Sequence, residues 1–418
     1  MISGKQSKRD VSLLILLCWV VYTCSYIGKL NYAANINQVM SYYSITHAEA
    51  GLVSTLFFFS YGIGQVVNGI WCKKYNIKWI VFISVAVSGA SNLIIAISES
   101  FEIIKYLWVI NGFSLSILWP CLIRLLSETV SSEGMARASV TMGTTTAAGT
   151  FFIYGISAIF AALTDSFKAV FYIAAGIMLA VAIIWLLTVD RRVEAIKATG
   201  ADDPIKPVEG ERGVHGSLPI GGGILLSVCM LAIFGVITNF VKDGLTTWVP
   251  SILKESWGLG DSLSIMLTMT LPIVTIFGNL FAVMLHKRIP DFVYQCVTVF
   301  LVSGGIIGVL IAVLDSESFV LPLVCFALVC FLVGSCNSLI TSIFHLFMKG
   351  KVNSGLIAGI LNGCCYVGST ISSYGLGAVA DASGWRGVFV LLLAVCLGSA
   401  IIALVYGILR AVSVGRTK

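Results

Sequence analysis

Two lysines, Lys29 and Lys242, stand inside apolar stretches, YTCSYIGKLNYAAN over residues 22–35 and FVKDGLTTWVPSIL over Phe240–Leu253. A lysine at mid-membrane depth costs about 2.5–3.5 kcal/mol on insertion scales, so a charge retained there marks a functional site. The apolar run from Val11 to Lys29 is too long for the side-chain stem to carry the ammonium back to the nearer interface. Two such cations converging on one cavity repel each other. An anion between them offsets both the repulsion and the desolvation, which points to a small negatively charged ligand. Lysine holds phosphate or carboxylate as a flexible point charge, without the bidentate fork of arginine.

Other polar groups accompany the lysines. Tyr22, Tyr26 and Tyr32 fall roughly on the helix face of Lys29, with Asn35 nearby, and their hydroxyls can donate to an anion. Asn239 lies three residues before Lys242; Trp248, Thr144, Thr145, Thr146, Asn337, His345, Asn362 and Tyr366 are further candidates. Any of these can equally join one membrane helix to another. Asp243 is the obvious acid. Adjacent helical residues diverge by about 100°, so a direct pair with Lys242 is not expected. Asp243 is left to meet Lys29 or to carry a coupled proton. No nucleophile–base pair, phosphate-cradling glycine loop or metal-ligand spacing is present, so no enzyme, cofactor or metal is expected. The 12 cysteines fall in or at the ends of apolar segments and read as small hydrophobes.

These residues need a membrane to position them. With 58% apolar and 11% charged residues, the chain cannot be a soluble globular protein, where about a quarter of residues are charged. The apolar runs are unbroken for about twenty residues each, which gives an all-α membrane protein and not a barrel. Twelve spans are expected, starting near residues 11, 49, 78, 103, 135, 168, 219, 261, 291, 319, 353 and 387. The polar segment 190–216 reads as a cytoplasmic linker between two six-helix halves, 1–189 and 217–418. Most of the 26 lysines and arginines then face one side, including Lys73, Lys74, Arg191, Arg192, Lys287 and Arg288. The positive-inside rule places both termini in the cytoplasm, the first as a basic tail and not a signal peptide. The net charge of +6 thus has a membrane explanation and calls for no nucleic acid.

The halves correspond. Lys29 and Lys242 occupy matching first spans, followed by Gly51 and Gly260 at the start of the next helix, and NGIWCKKYNIK matches GNLFAVMLHKR at the end of it. Two parallel six-helix repeats with a site near mid-membrane are the arrangement of major-facilitator transporters. YTCSYIGKLNY resembles the first-helix signature of the organophosphate:phosphate antiporters, the glycerol-phosphate and hexose-phosphate transporter family of that superfamily. The resemblance continues through LWPCLIR at Leu118–Arg124, with Trp119, through Phe240–Leu253, and through Ser354–Phe389 in the eleventh span. It covers essentially the whole chain in collinear motifs. It implies that Tyr22, Tyr26 and Tyr366 line a cavity, and that Lys29 and Lys242 stand where the family has arginines. Thr145 stands in place of a family histidine, Leu267 in place of a glutamate, and Lys73 or its neighbour in place of an acidic loop residue.

The expected protein is therefore a secondary transporter of the inner cell membrane, monomeric in the lipid bilayer. It would move a small organic anion, an organophosphate or a carboxylate, by alternating access and most simply by anion exchange. Proton-coupled symport and a non-transporting sensor of an anionic metabolite are the alternatives.

Overall fold

The computed structural model describes residues 2–71, 74–164, 166–199, 222–343 and 354–415. Lys73, His345 and most of the 190–216 linker lie outside the described residues. Among the described residues there is no strand. Eleven helical stretches are long and apolar enough to cross a membrane. The last, Ile360–Arg410, runs for 51 residues, more than twice the roughly 20 that a bilayer needs. It turns at Gly384, whose φ of 69° is available to glycine at little cost. Two passes therefore fit within it, consistent with twelve in all.

The chain divides into two compact units. The first comprises Met1–Asn35 and Phe59–His215, the second Ile36–Phe58 and Gly216–Lys418. In the first unit α1 (Ile2–Ala34) opens the bundle. The short α2 (Ile36–Tyr43) and the start of α3 (His47–Trp71) belong to the second unit, and the rest of α3 to the first. The first unit continues with α4 (Ile77–Ile97), α5 (Phe101–Leu115), α6 (Leu118–Thr129), α7 (Ser132–Gly143), α8 (Thr145–Leu163) and α9 (Lys168–Thr199). The second holds α10 (Gly222–Trp257), α11 (Asp261–Thr268), α12 (Thr270–Arg288), α13 (Phe292–Val313), α14 (Val320–Ser338), a π-helical turn at Leu339–Ile343, and α15 (Ser354–Gly415).

The helix breaks have local causes. Pro120 has no N–H to return to the carbonyl of Ser116, and the helix is interrupted there between α5 and α6. Gln65 Nε2 donates to that carbonyl instead, at 3.1 Å. Pro272 is placed the same way after α11, which ends at Thr268. Helix starts carry side-chain caps: Asn76 accepts from Trp79 N, Ser131 from Gly134 N and Asp291 from Val293 N.

Each unit is closed by aromatic and small-residue packing. In the first, Tyr32, Trp108, Phe171 and Phe167 form a chain of ring contacts 5.6–5.8 Å apart. In the second, Phe234 meets Phe300 and Phe326 meets Phe389. His47 explains why residues 36–58 belong to the second unit. Its Nδ1 lies 2.7 Å from Asp381 Oδ1 and its Nε2 2.8 Å from Glu255 Oε1, between the rings of Trp248 and Trp385.

In each unit two helices meet closely through a glycine, α1 and α8 in the first, α10 and α15 in the second. At Gly149 a Cβ would stand 2.5 Å from Thr23 O and from Tyr26 Cβ; at Gly368 it would overlap Val236 O. Backbones approach this closely in membrane bundles only over small residues. Gly368→Ala is expected to lower the unfolding temperature of the solubilised protein, with an overpacking cost of about 1–3 kcal/mol. Gly398→Ala, where nothing lies within 4 Å, should leave that temperature unchanged or raise it.

Candidate functional site

The first unit fixes Lys29 through the backbone beside it. The carbonyl of Gly28 accepts from Asn92 Nδ2 at 3.1 Å and from Asn111 Nδ2 at 2.8 Å, so α4 and α5 both grip α1 one residue before the lysine. Asn31 Nδ2 donates to Asn92 Oδ1 at 2.6 Å, which orients the Asn92 amide. All three asparagines are fully buried, where an unmade hydrogen bond is costly.

From that anchored turn the Lys29 ammonium lies over two aromatic faces, 4.1 Å from the centroid of Tyr26 and 4.9 Å from that of Tyr61. A cation over such rings gains about 0.5–2 kcal/mol. The Tyr26 hydroxyl accepts from Thr146 Oγ1 at 2.9 Å. Its ring meets Tyr22 edge-on at 5.6 Å, and Tyr22 in turn lies 4.9 Å from Trp119. Trp119, Tyr22, Tyr26 and Lys29 thus form one continuous run of contacts.

Three expected residues lie elsewhere. Tyr32 has no exposed surface and packs on Trp108. Asn35 is buried and donates to Ser157 Oγ and to Asn31 O. Thr145 is buried too and donates to Met142 O at 2.6 Å; its neighbour Thr146 is the one that reaches Tyr26. The helix explains the first of these. Positions i−3 and i+3 flank Lys29 on opposite sides, about 60° each, so packing one flank turns the other outward. Tyr61, which the sequence reading missed, comes from α3 and has no spacing relation to α1.

In the second unit, the expectation that Asp243 does not pair with Lys242 is corrected. Lys242 Nζ lies 3.2 Å from Asp243 Oδ1. The Cβ directions do diverge, but the four-carbon lysine stem is long enough to fold back along the helix. Ser369 of α15 donates to the other carboxylate oxygen, Oδ2. The approach of α10 to α15 over Gly368 makes that hydrogen bond possible. Asn239 donates to Asn337 Oδ1 at 3.1 Å and to Gly235 O at 3.2 Å, and Cys365 Sγ contacts the same Asn337 oxygen. Tyr366 sits on α15 three residues before Ser369, half-buried, and Trp248 is fully buried with Nε1 donating to Ser373 O. Among the described residues no group of three His, Cys, Asp or Glu side chains could hold a metal ion.

Residues 18–373 match the family model of the Major Facilitator Superfamily. A membrane sensor protein, UhpC, of Escherichia coli (strain K12) is 26% identical over 114 residues, 27% of this chain and 26% of that protein. This match thus spans about a quarter of the length of that curated relative. Sugar phosphate exchanger 3 of Bos taurus is 21% identical over 387 residues, 81% of this chain and 76% of that protein. Among solved structures, a bacterial homolog of the human lysosomal transporter Spinster, inward-facing and occupied, superposes with a TM-score of 0.76. It is 13% identical, and the match covers 94% of this chain and 96% of that one.

If the Gly28 carbonyl holds α1 in place, Asn111→Ala should destabilise the protein by about 1 kcal/mol, the net worth of a buried hydrogen bond. Thermal unfolding in detergent checks this; an unchanged midpoint would contradict it.

Proposed function

The chain belongs to the Major Facilitator Superfamily, and on that premise we propose that it is a secondary transporter moving a small organic anion by alternating access, with Lys29 and Lys242 as the cations that attract the cargo. The observation that carries this reading is the pair of lysines in matching first helices of the two sequence halves, each held inside an apolar span. Tyr22, Tyr26 and Trp119 around Lys29, and Asn239 and Tyr366 on the helices that carry Lys242 and Ser369, are proposed to shape the binding surface. Tyr32, Asn35 and Thr145 act behind it, in packing. Organophosphates and carboxylates are the cargo classes. The names of the relatives, which speak of sugar phosphate in one case, support an anion.

Exchange is the proposed mode. An empty cationic site resists reorientation in a low-dielectric setting until an anion neutralises it, so entry of one anion would depend on exit of another. Proton symport through Asp243 is the alternative and predicts uptake driven by an imposed pH gradient without internal anion. The distribution of basic residues supports an inner-membrane protein with both termini cytoplasmic, and a monomer is proposed as the working unit.

The match to a membrane sensor protein favours one second reading, a protein that binds an anion without moving it. Anion binding by the purified protein with no flux in proteoliposomes would select that reading.

For the transporter, Lys29→Ala combined with Lys242→Ala should abolish anion uptake into proteoliposomes. Uptake that survives the double substitution would overturn the site. Tyr26→Phe keeps the ring under Lys29 and should retain transport, whereas Tyr26→Ala should lose roughly five- to tenfold, the equivalent of about 1–1.4 kcal/mol.

A further inference from the structure

The second unit carries a titratable cluster outside the proposed transport site. His47, the first residue of α3, lies between Glu255, near the end of α10, and Asp381, just before the turn of α15 at Gly384. Its Nδ1 stands 2.7 Å from Asp381 Oδ1 and its Nε2 2.8 Å from Glu255 Oε1. Asp381 also accepts the backbone N–H of His47 at 3.1 Å and of Ala48 at 2.8 Å, which satisfies the first turn of α3. Glu255 Oε2 accepts from Trp385 Nε1 at 2.9 Å. Further contacts seat residues 36–58 without a titratable group. Thr55 Oγ1 donates to Thr370 O and Ser251 Oγ to Asn37 Oδ1. Backbones pass closely at Gly51 and Gly377, where a Cβ would stand 2.2 Å from Ser373 O and 2.6 Å from His47 O.

Both ring nitrogens thus face carboxylate oxygens, which only accept when ionised. A neutral imidazole has one N–H to give. With that proton on Nδ1 the Asp381 bond survives, and the Nε2 lone pair is set against Glu255 Oε1; with it on Nε2 the loss falls on Asp381. Two bonds require the imidazolium. The charged groups facing the ring are Glu255 of α10 and Asp381 of α15. Lys254, beside Glu255, is paired with Asp261, Arg386 of α15 with Asp315, and Glu49 of α3 accepts from Thr46 N. We infer that His47 is a proton-operated clamp: its imidazolium fastens residues 36–58 to α10 and α15, and loss of the proton loosens that segment as the pH rises. A histidine without partners is half protonated near about pH 6.5, so the clamp is complete below that value and gives way above it. The His47 side chain keeps 20% of its surface exposed, which lets the proton exchange with solvent. α3 runs unbroken from residues of the second unit into those of the first. Under the alternating access proposed above, on which this consequence alone rests, the clamp sets how firmly that helix stays with the second unit.

The test is amide hydrogen exchange of the purified full-length protein at about pH 6 and about pH 8.5, corrected for the intrinsic effect of pH on exchange. In the wild type, amides of residues 36–58 should exchange roughly tenfold faster at the higher pH, the worth of one hydrogen bond to a charged group. Those of α13 (Phe292–Val313) should not respond. His47→Gln should exchange at both pH values as the wild type does at the higher one. Glu255→Gln keeps an oxygen for Trp385 Nε1 and offers an amide N–H to the bare Nε2 of a neutral imidazole, so protection should persist at both pH values. That outcome separates a proton-operated clamp from a contact that only packs. Equal protection of residues 36–58 at both pH values in the wild type overturns the inference, as does an equal response of α13, or a pH response that His47→Gln or Glu255→Gln leaves as in the wild type. The wild-type comparison decides whichever variants fold. Failure of the transport reading shows elsewhere, as absent flux in proteoliposomes at either pH, and leaves the exchange comparison standing.

Discussion

The structure depends on one electrostatic constraint: charges held where water is scarce must be answered. Among the described residues Lys29, Lys242 and Asp243 lie within the apolar body of the spans, and each meets different partners. Lys242 has a carboxylate beside it. Asp243 has that ammonium and a serine hydroxyl. Lys29 lies over two tyrosine rings, which stabilise a cation without cancelling it. Much of the surrounding packing serves this arrangement. Buried asparagines grip the carbonyl before Lys29, and the close approach of α10 to α15 over Gly368 brings Ser369 to Asp243.

The same constraint links structure to transport. In the transport proposed above, a cationic site crosses the low-dielectric interior at a cost, and the cost falls when an anion occupies it. Lysines in place of the arginines of the family that the sequence resembles fit this account. A forked guanidinium clamps phosphate through two parallel hydrogen bonds, whereas a lysine ammonium holds phosphate or carboxylate as a point charge.

Much of the fold was legible in the sequence because a bilayer imposes a length on every helix. The first eleven expected span starts fall within 7 residues of the starts of the apolar stretches, the twelfth lies inside the last stretch, Ile360–Arg410, and the positions of Pro120 and Pro272 account for the interruptions beside them. The lysines were legible for the same reason, as charges inside runs that should have none. What the sequence did not carry were relations between helices. Tyr61 and Ser369 come from α3 and α15, and nothing in their spacing ties them to α1 or α10. Which flank of Lys29 is buried was likewise undetermined, so Tyr32 was placed with Tyr26 although the two stand on opposite sides. The pairing of Lys242 with Asp243 was misjudged because helical geometry fixes where Cβ points and leaves a long side chain free to return. The assignment of residues 36–58 to the second unit rests on His47 meeting Glu255 and Asp381, acids more than two hundred residues away in sequence.

The central claim is that an anion must neutralise the site before it can reorient, and trans-stimulation tests it most directly. Proteoliposomes are loaded with whichever labelled anion the purified protein binds best, and efflux is followed with and without the same anion outside. The account predicts slow efflux into anion-free buffer and a marked acceleration when external anion is added. Efflux at the same rate in both conditions would contradict it.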